Sequence, residues 1–139
     1  MKVLLDTNVL FSAVLSADST PMRAFCKAVT PPNRLFICEQ TIEELKRTFQ
    51  AKFPQRLPQL HRFIDNSLIL ANIVPIPPKP VEDEALIRDE SDRPIFRAAA
   101  SALVDVFVTG DKDFLESGIL NPKIMTPTAF IHFIFQEIT

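Results

Sequence analysis

The side chains of this 139-residue chain best able to do chemistry are carboxylates, and they recur just beyond short apolar runs. Asp6 follows "KVLL". Glu43 and Glu44 fall in the first turns after "RLFIC". Asp92 lies at the end of the long loop after "IVPI", and Asp111 and Asp113 follow "VFVTG". Each has a structural explanation of its own. An aspartate before a helix accepts backbone N–H bonds, and an acid in a first helical turn is favoured by the helix dipole. Taken together they pose a harder problem. If the apolar runs are strands of a parallel sheet, all of these acids lie along its carboxyl edge, where open α/β sheets bind ligands. Carboxylates gathered in one crevice repel each other. Helix N-termini offset about 0.3–1 kcal/mol each, and the remainder calls for protonation or a cation. Oxygen ligands with no cysteine or histidine among them select Mg2+ or Mn2+ over zinc. Such a cluster suits hydrolysis of a phosphodiester.

The elements that must position these acids can be read from periodicity. "KVLL", "RLFIC", "IVPI", "DVFV" and "KIM" are short and nearly pure apolar, as expected of strands covered on both faces. Between them, helical spacing places Val9, Leu10, Ala13 and Val14 on one face, and Met22, Phe25 and Val29 on another. Ser19 or Thr20 caps the second of these helices and Pro21 sits near its start. Ile42, Leu45, Phe49 and Phe53 form the stripe of a third helix. Leu60, Phe63, Ile64, Leu68 and Leu70 form that of one long fourth helix. Ile95, Phe96, Ala99, Ala102 and Leu103 are the expected buried face of a helix opening near Pro94. "DKDFLESG" reads as a short helix and "PTAFIHFIFQEI" as a final one. The stretch from Pro77 to Asp92 reads as a loop, with a single turn at "EALI" and its acidic run Glu82 to Glu90 in solvent. Strands alternating with helices predict an α/β fold with a mostly parallel sheet. The length and the lack of linker composition predict one domain over residues 1–139.

Composition narrows the function. Apolar residues make up 47% and charged residues 23%, and the net charge is −2, so the chain as a whole carries no electrostatic signature of nucleic-acid binding. No apolar run reaches the roughly 20 residues that span a bilayer. Asp6 and Asn8 interrupt the N-terminal apolar stretch and no small-residue cleavage site follows, so the reading is a cytoplasmic protein with no membrane partner. Cys26 and Cys38 fit no zinc spacing and read as small buried hydrophobes. His61 and His132 fall at no strand end, which argues against a histidine base. Gly110 and Gly118 are the only glycines, too few for a phosphate-cradling loop.

Five segments, "VLLDTNVLFSAVLS", "TIEELKRTF", "RDESDRPIFRAAA", "VFVTGDKDFL" and "IMTPTAFIHF", resemble in order and over nearly the whole chain the PIN domain family. The nearest branch is the prokaryotic, VapC-like PIN proteins regarded as toxins of toxin–antitoxin pairs. The resemblance implies a three-layer, Rossmann-like fold with a short, mostly parallel sheet flanked by helices. It implies a Mg2+- or Mn2+-dependent endoribonuclease. Asp6, Glu44, Asp92 and Asp111 match the acids that hold the metal, and Asp113 matches a frequent additional catalytic member. Asn8 and Thr109 match polar positions that orient them. The family's glutamate stands before a leucine, which selects Glu44, whereas the helical stripe favours Glu43; Glu43 is the fallback. Asp89 is a further contributor to weigh, because the chain departs from its relatives around Glu90, Ser91 and Arg93.

The partners so implied are an RNA substrate, a small antitoxin protein and a second copy of the chain. The last follows from homodimerisation being common among similar proteins; the only hint in this sequence is "FIHFIF", whose Phe130, Phe133 and Phe135 cannot share one face. Arg23, Lys46, Arg47 and Lys52 are candidates for guiding an RNA backbone, and Lys112 softens the repulsion between its flanking acids. Competing readings are a non-catalytic RNA- or protein-binding module of the same fold and a nuclease directed at DNA or at structured nucleic acid. A phosphatase using Asp6 as nucleophile would need a second aspartate two positions on, where Asn8 stands.

Overall fold

Five strands form one fully parallel sheet in a computed structural model that describes residues 1–134. In chain order they are β1 (Lys2–Leu5), β2 (Arg34–Cys38), β3 (Asn72–Val74), β4 (Val106–Val108) and β5 (Lys123–Met125). Their order across the sheet is β3-β2-β1-β4-β5. The chain therefore builds outward from β1 in one direction, then returns to add β4 on its other side. That reversal lies between β1 and β4, where open α/β sheets open a crevice at their carboxyl ends. Leu5 is in register with Val108, so the next residues, Asp6 and Thr109, leave the sheet side by side. The Asp6 N–H donates to Val108 O at 2.9 Å.

Alternation along the strands divides the core in two. Val3, Leu5, Leu35, Ile37, Val106 and Val108 face one layer, which α1 (Thr7–Leu15), α2 (Thr20–Val29), α3 (Glu39–Lys52), α4 (Leu57–Asn66) and α7 (Pro127–His132) cover. Leu4, Phe36, Cys38 and Phe107 face the other, covered by α5 (Arg93–Ser101), α6 (Lys112–Leu115) and the Pro77–Asp92 loop. The result is the expected three layers. Among the described residues, no helix is long and apolar enough to cross a membrane.

Several expectations need correction. The long fourth helix is three pieces, a 3-10 turn at Pro54–Arg56, then α4, then a 3-10 turn at Leu68–Leu70. Leu68 is buried but Leu70 is exposed, because the break at Ser67 rotates the following residues out of the α4 stripe. Leu103 is exposed, not buried, and Ile95 and Ala102 are only half-buried. α5 ends at Ser101, and Leu103 adopts a φ of 56°, reversing the chain towards β4. Its N–H bonds Ala100 O, and the Val104 N–H bonds Ala99 O. This is the paired closure of a helix C-terminus in which glycine usually takes the left-handed position. Cys26 is exposed, since Ala24, Phe25 and Ala28 take the inward face of α2; Cys38 is buried as expected.

The acidic run is not all solvated. Glu84 is buried and receives two bonds at 2.9 Å from the Arg97 guanidinium, tying the loop to α5. Phe130 is fully buried and Phe133 is half-buried against the same core, so neither supports a dimer surface. Phe135 lies outside the described residues.

Candidate active site

Asp6 ends β1 and caps α1. One carboxylate oxygen, Oδ1, accepts the Thr7 N–H at 2.8 Å, and the other, Oδ2, accepts the Thr109 hydroxyl at 2.7 Å. Both bonds favour the charged form. Burial nevertheless dominates and pushes the Asp6 carboxyl up to about 6, with Asp111 and Glu44 adding negative potential. Thr109 is itself fully buried. While donating to Asp6, its hydroxyl accepts the Asp111 N–H at 3.0 Å. One threonine thus fixes both the Asp6 rotamer and the backbone that carries Asp111.

Asp111 caps α6 by accepting the Asp113 N–H at 2.9 Å. Asp92 is different. It precedes α5 but makes no capping bond with its side chain. Burial, followed by the negative charge of Asp111, raises it to about 7; Asp89 and Asp6 push in the same direction. Repulsion of this kind is relieved by a proton or a cation. Asp92 therefore has no structural duty that explains its position.

Glu44 reaches the same place from α3. It lines a cleft of about 340 Å³ together with Asp6, Asp92, Arg47, Ser91 and Ile95. Glu43 is exposed and does not line this cleft. The cleft-facing stripe of α3 is Gln40, Glu44, Arg47 and Thr48, at i, i+4, i+7 and i+8, flanking the buried stripe of Thr41, Leu45 and Phe49. Sequence reading passed over Gln40 and Thr48 as site residues, although their four-residue offsets from Glu44 carry them onto its face. It also passed over Ser91, whose N–H and hydroxyl bond Asp89 at 3.0 and 2.8 Å.

Asp89, Asp92 and Asp113 form an outer group whose carboxylate oxygens lie within 4.8 Å of one another. Asp113 is held there by the Arg88 guanidinium at 3.0 Å, which also pairs with Glu116 at 3.1 Å. The site therefore has a floor, Asp6 and Asp111 joined through Thr109, and a rim, Asp89 and Asp113 with Asp92 beside them. Asn8 belongs to neither. It is exposed and faces a separate shallow pocket with Ser12, Pro21, Gly110 and Pro127.

The profile of the PIN domain matches residues 2–113, which spans β1 to the start of α6 and includes Asp6, Glu44, Asp89, Asp92, Asp111 and Asp113. The chain belongs to the PIN domain family. PIN domains are generally nucleases. No curated protein matches the chain. Solved structures share the fold, among them these two. One is VapBC2 from Rickettsia felis bound to a DNA fragment from its promoter. It has 18% identity and a TM-score of 0.65 over 90% of this chain and 97% of that one. The other is FitAcB from Neisseria gonorrhoeae, at 22% identity and a TM-score of 0.65, over 91% and 98% of the two chains.

The donor set of this PIN domain is all carboxylate oxygen, with no basic residue touching Asp6, Asp92 or Asp111 among the described residues. Such a set fits a hard divalent cation.

Proposed function

We propose that this PIN domain, a single domain over residues 1–139, is a Mg2+- or Mn2+-dependent endoribonuclease. Its role is that of the toxin in a toxin–antitoxin pair, and it works in the cytoplasm. The observation that carries the catalytic reading is Asp92. Its carboxyl lines the cleft with Asp6 and Glu44, lies within 4.8 Å of those of Asp89 and Asp113, makes no capping bond, and is raised to about 7 by burial and the Asp111 charge. Asp6, Glu44, Asp92 and Asp111 would hold a divalent cation, which would supply the positive charge needed to activate water and shield the phosphodiester.

The protein's own groups set this up. Asp6 presents the carboxylate lone pairs left over after Thr7 and Thr109 have fixed its orientation. Asp92 gives up the proton that burial and its neighbouring acids favour. Asp113, tied to Arg88, stays at the rim with Asp89 and orients incoming groups instead of closing the floor. The toxin reading draws on the two structural neighbours, both of which are toxin–antitoxin complexes by name, and implies a small protein partner for this chain.

The test is cleavage of single-stranded RNA by wild type and Asp6→Asn, with Mn2+ and with EDTA. Wild-type cleavage that needs the cation and vanishes in Asp6→Asn supports the reading. Equal cleavage by the two proteins, or cleavage undiminished by EDTA, overturns it.

A further inference from the structure

A carboxylate-lined cleft must admit a phosphate, which it repels. Among the described residues, one cation lines it. Arg47 lies one turn beyond Glu44 on the cleft-facing stripe of α3 and is exposed. Among the described residues it enters no ion pair and no side-chain hydrogen bond, although Glu44 stands at the i,i+3 distance that commonly pairs on a helix. The other arginines near the site are committed. Arg88 holds Asp113 and Glu116. Arg93 donates to Ile87 O and stands beside Glu90. Arg97 is bound to Glu84. Lys46, the next residue back, is exposed but lies outside the cleft lining.

Among the described residues, the cleft lining also holds no aromatic side chain. Base stacking, which supplies much of the affinity at many single-strand sites, is not available within it. A guanidinium offers a planar fork that grips phosphate in two places and stays charged beside acids.

We propose that Arg47 is the residue that binds the RNA backbone on the α3 side of the cleft, through a phosphate adjoining the one cleaved. This rests on the ribonuclease reading above and adds its substrate-binding residue. Recognition at the cleft is then led by phosphate, steep in salt and tolerant of base identity.

The experiment combines steady-state cleavage of a fluorescein-labelled single-stranded RNA with calorimetric titration of Mn2+ alone. Arg47→Ala is expected to raise KM about tenfold with kcat within about threefold, the size expected for losing one charge-assisted phosphate contact. The slope of log KM against log salt is expected to fall by about 0.7, as for one lost contact to a single strand. Mn2+ binding is expected to be unchanged. Arg47→Lys recovers part of the loss, and Lys46→Ala leaves KM within about twofold. A wild-type KM in Arg47→Ala overturns the assignment. So does an equal KM rise in Lys46→Ala, which would mean diffuse surface charge, and so does lost Mn2+ binding in Arg47→Ala, which would mean a structural role. Wild-type protein that binds Mn2+ but cleaves no RNA overturns the ribonuclease reading and this assignment with it.

Discussion

Glu84 and Asp6 are buried almost equally, 6% and 8% exposed, but their carboxyls move in opposite directions. Arg97 grips Glu84 with two bonds and holds it below the ordinary carboxylate range, helped by the Val81 N–H. Asp6 has a hydroxyl and one backbone N–H, no guanidinium, and two further acids nearby, and it rises to about 6. Burial penalises both charges. The difference is that one region supplies its own cation and the other does not. The loop from Pro77 to Asp92 is therefore closed on α5 by a finished ion pair, while the cleft beside it stores repulsion that a ligand can relieve.

Several measurements bear on this contrast. The largest effect is expected from Asp6→Asn, which removes the charge without changing the shape. Cleavage should fall at least about 10²–10³-fold, the range for losing one electrostatic contact to the reacting centre, while thermal stability at pH 8 should hold or rise. A drop in Tm comparable to that of a core mutant would show that Asp6 is a structural acid like Glu84.

Next comes the pH dependence of stability without added cation. The folded state binds the Asp6 proton more tightly than the unfolded chain does, so between about pH 4 and 6 it carries more protons. Stability must then fall as pH rises through that window. For Asp6 the change from 3.8 to about 6 corresponds to about 3 kcal/mol. Asp92, raised to about 7, extends the decline in the same direction. Urea unfolding across pH 4–8 reads the slope. Mn2+ should flatten it, and Asp6→Asn should remove much of it. Glu84 contributes with the opposite sign, as its lowered carboxyl loses stability when pH falls.

A third test breaks the finished pair. Glu84→Gln keeps the volume but leaves Arg97 facing a neutral amide, and Tm should fall by roughly 5 °C, with Mn2+ affinity little changed. The most selective is Thr109→Val, which keeps the shape and removes the hydroxyl between Asp6 and Asp111. Mn2+ affinity should drop about tenfold, as for other residues that orient a ligand. Unaltered affinity in calorimetry would mean that the hydroxyl does not organise the floor of the site.

The fold was readable because strands buried on both faces announce themselves as short apolar runs, and their order with the helices leaves few topologies. The acids directly after a strand were readable for the same reason. Asp6 and Asp111 leave the sheet at positions fixed by β1 and β4, with no helical phase to guess. Glu44 was not settled in this way. Its direction depends on the rotation of α3, and the hydrophobic stripe taken from Ile42, Leu45, Phe49 and Phe53 misplaced that rotation. The true buried row includes Thr41, a polar residue that donates no apolar signal; its hydroxyl meets that of Thr7 at 3.2 Å. Glu84 was misread because its partner lies thirteen residues away on α5, and composition alone makes a run of acids look solvated. The rim was hidden likewise, since Arg88 meets Asp113 only once the loop has folded over α6.

Leu103 sits where β4 begins, at the edge of the sheet opposite the acids, with a left-handed backbone that disfavours any side chain by about 1–2 kcal/mol. Its leucine side chain is 78% exposed and so recovers little by burial. Leu103→Gly should raise the melting temperature and leave cleavage as it was. The two kinds of strain in this molecule are thus separable, and the backbone kind can be engineered away to give a hardier scaffold on which the damaging cleft variants can still be purified and compared.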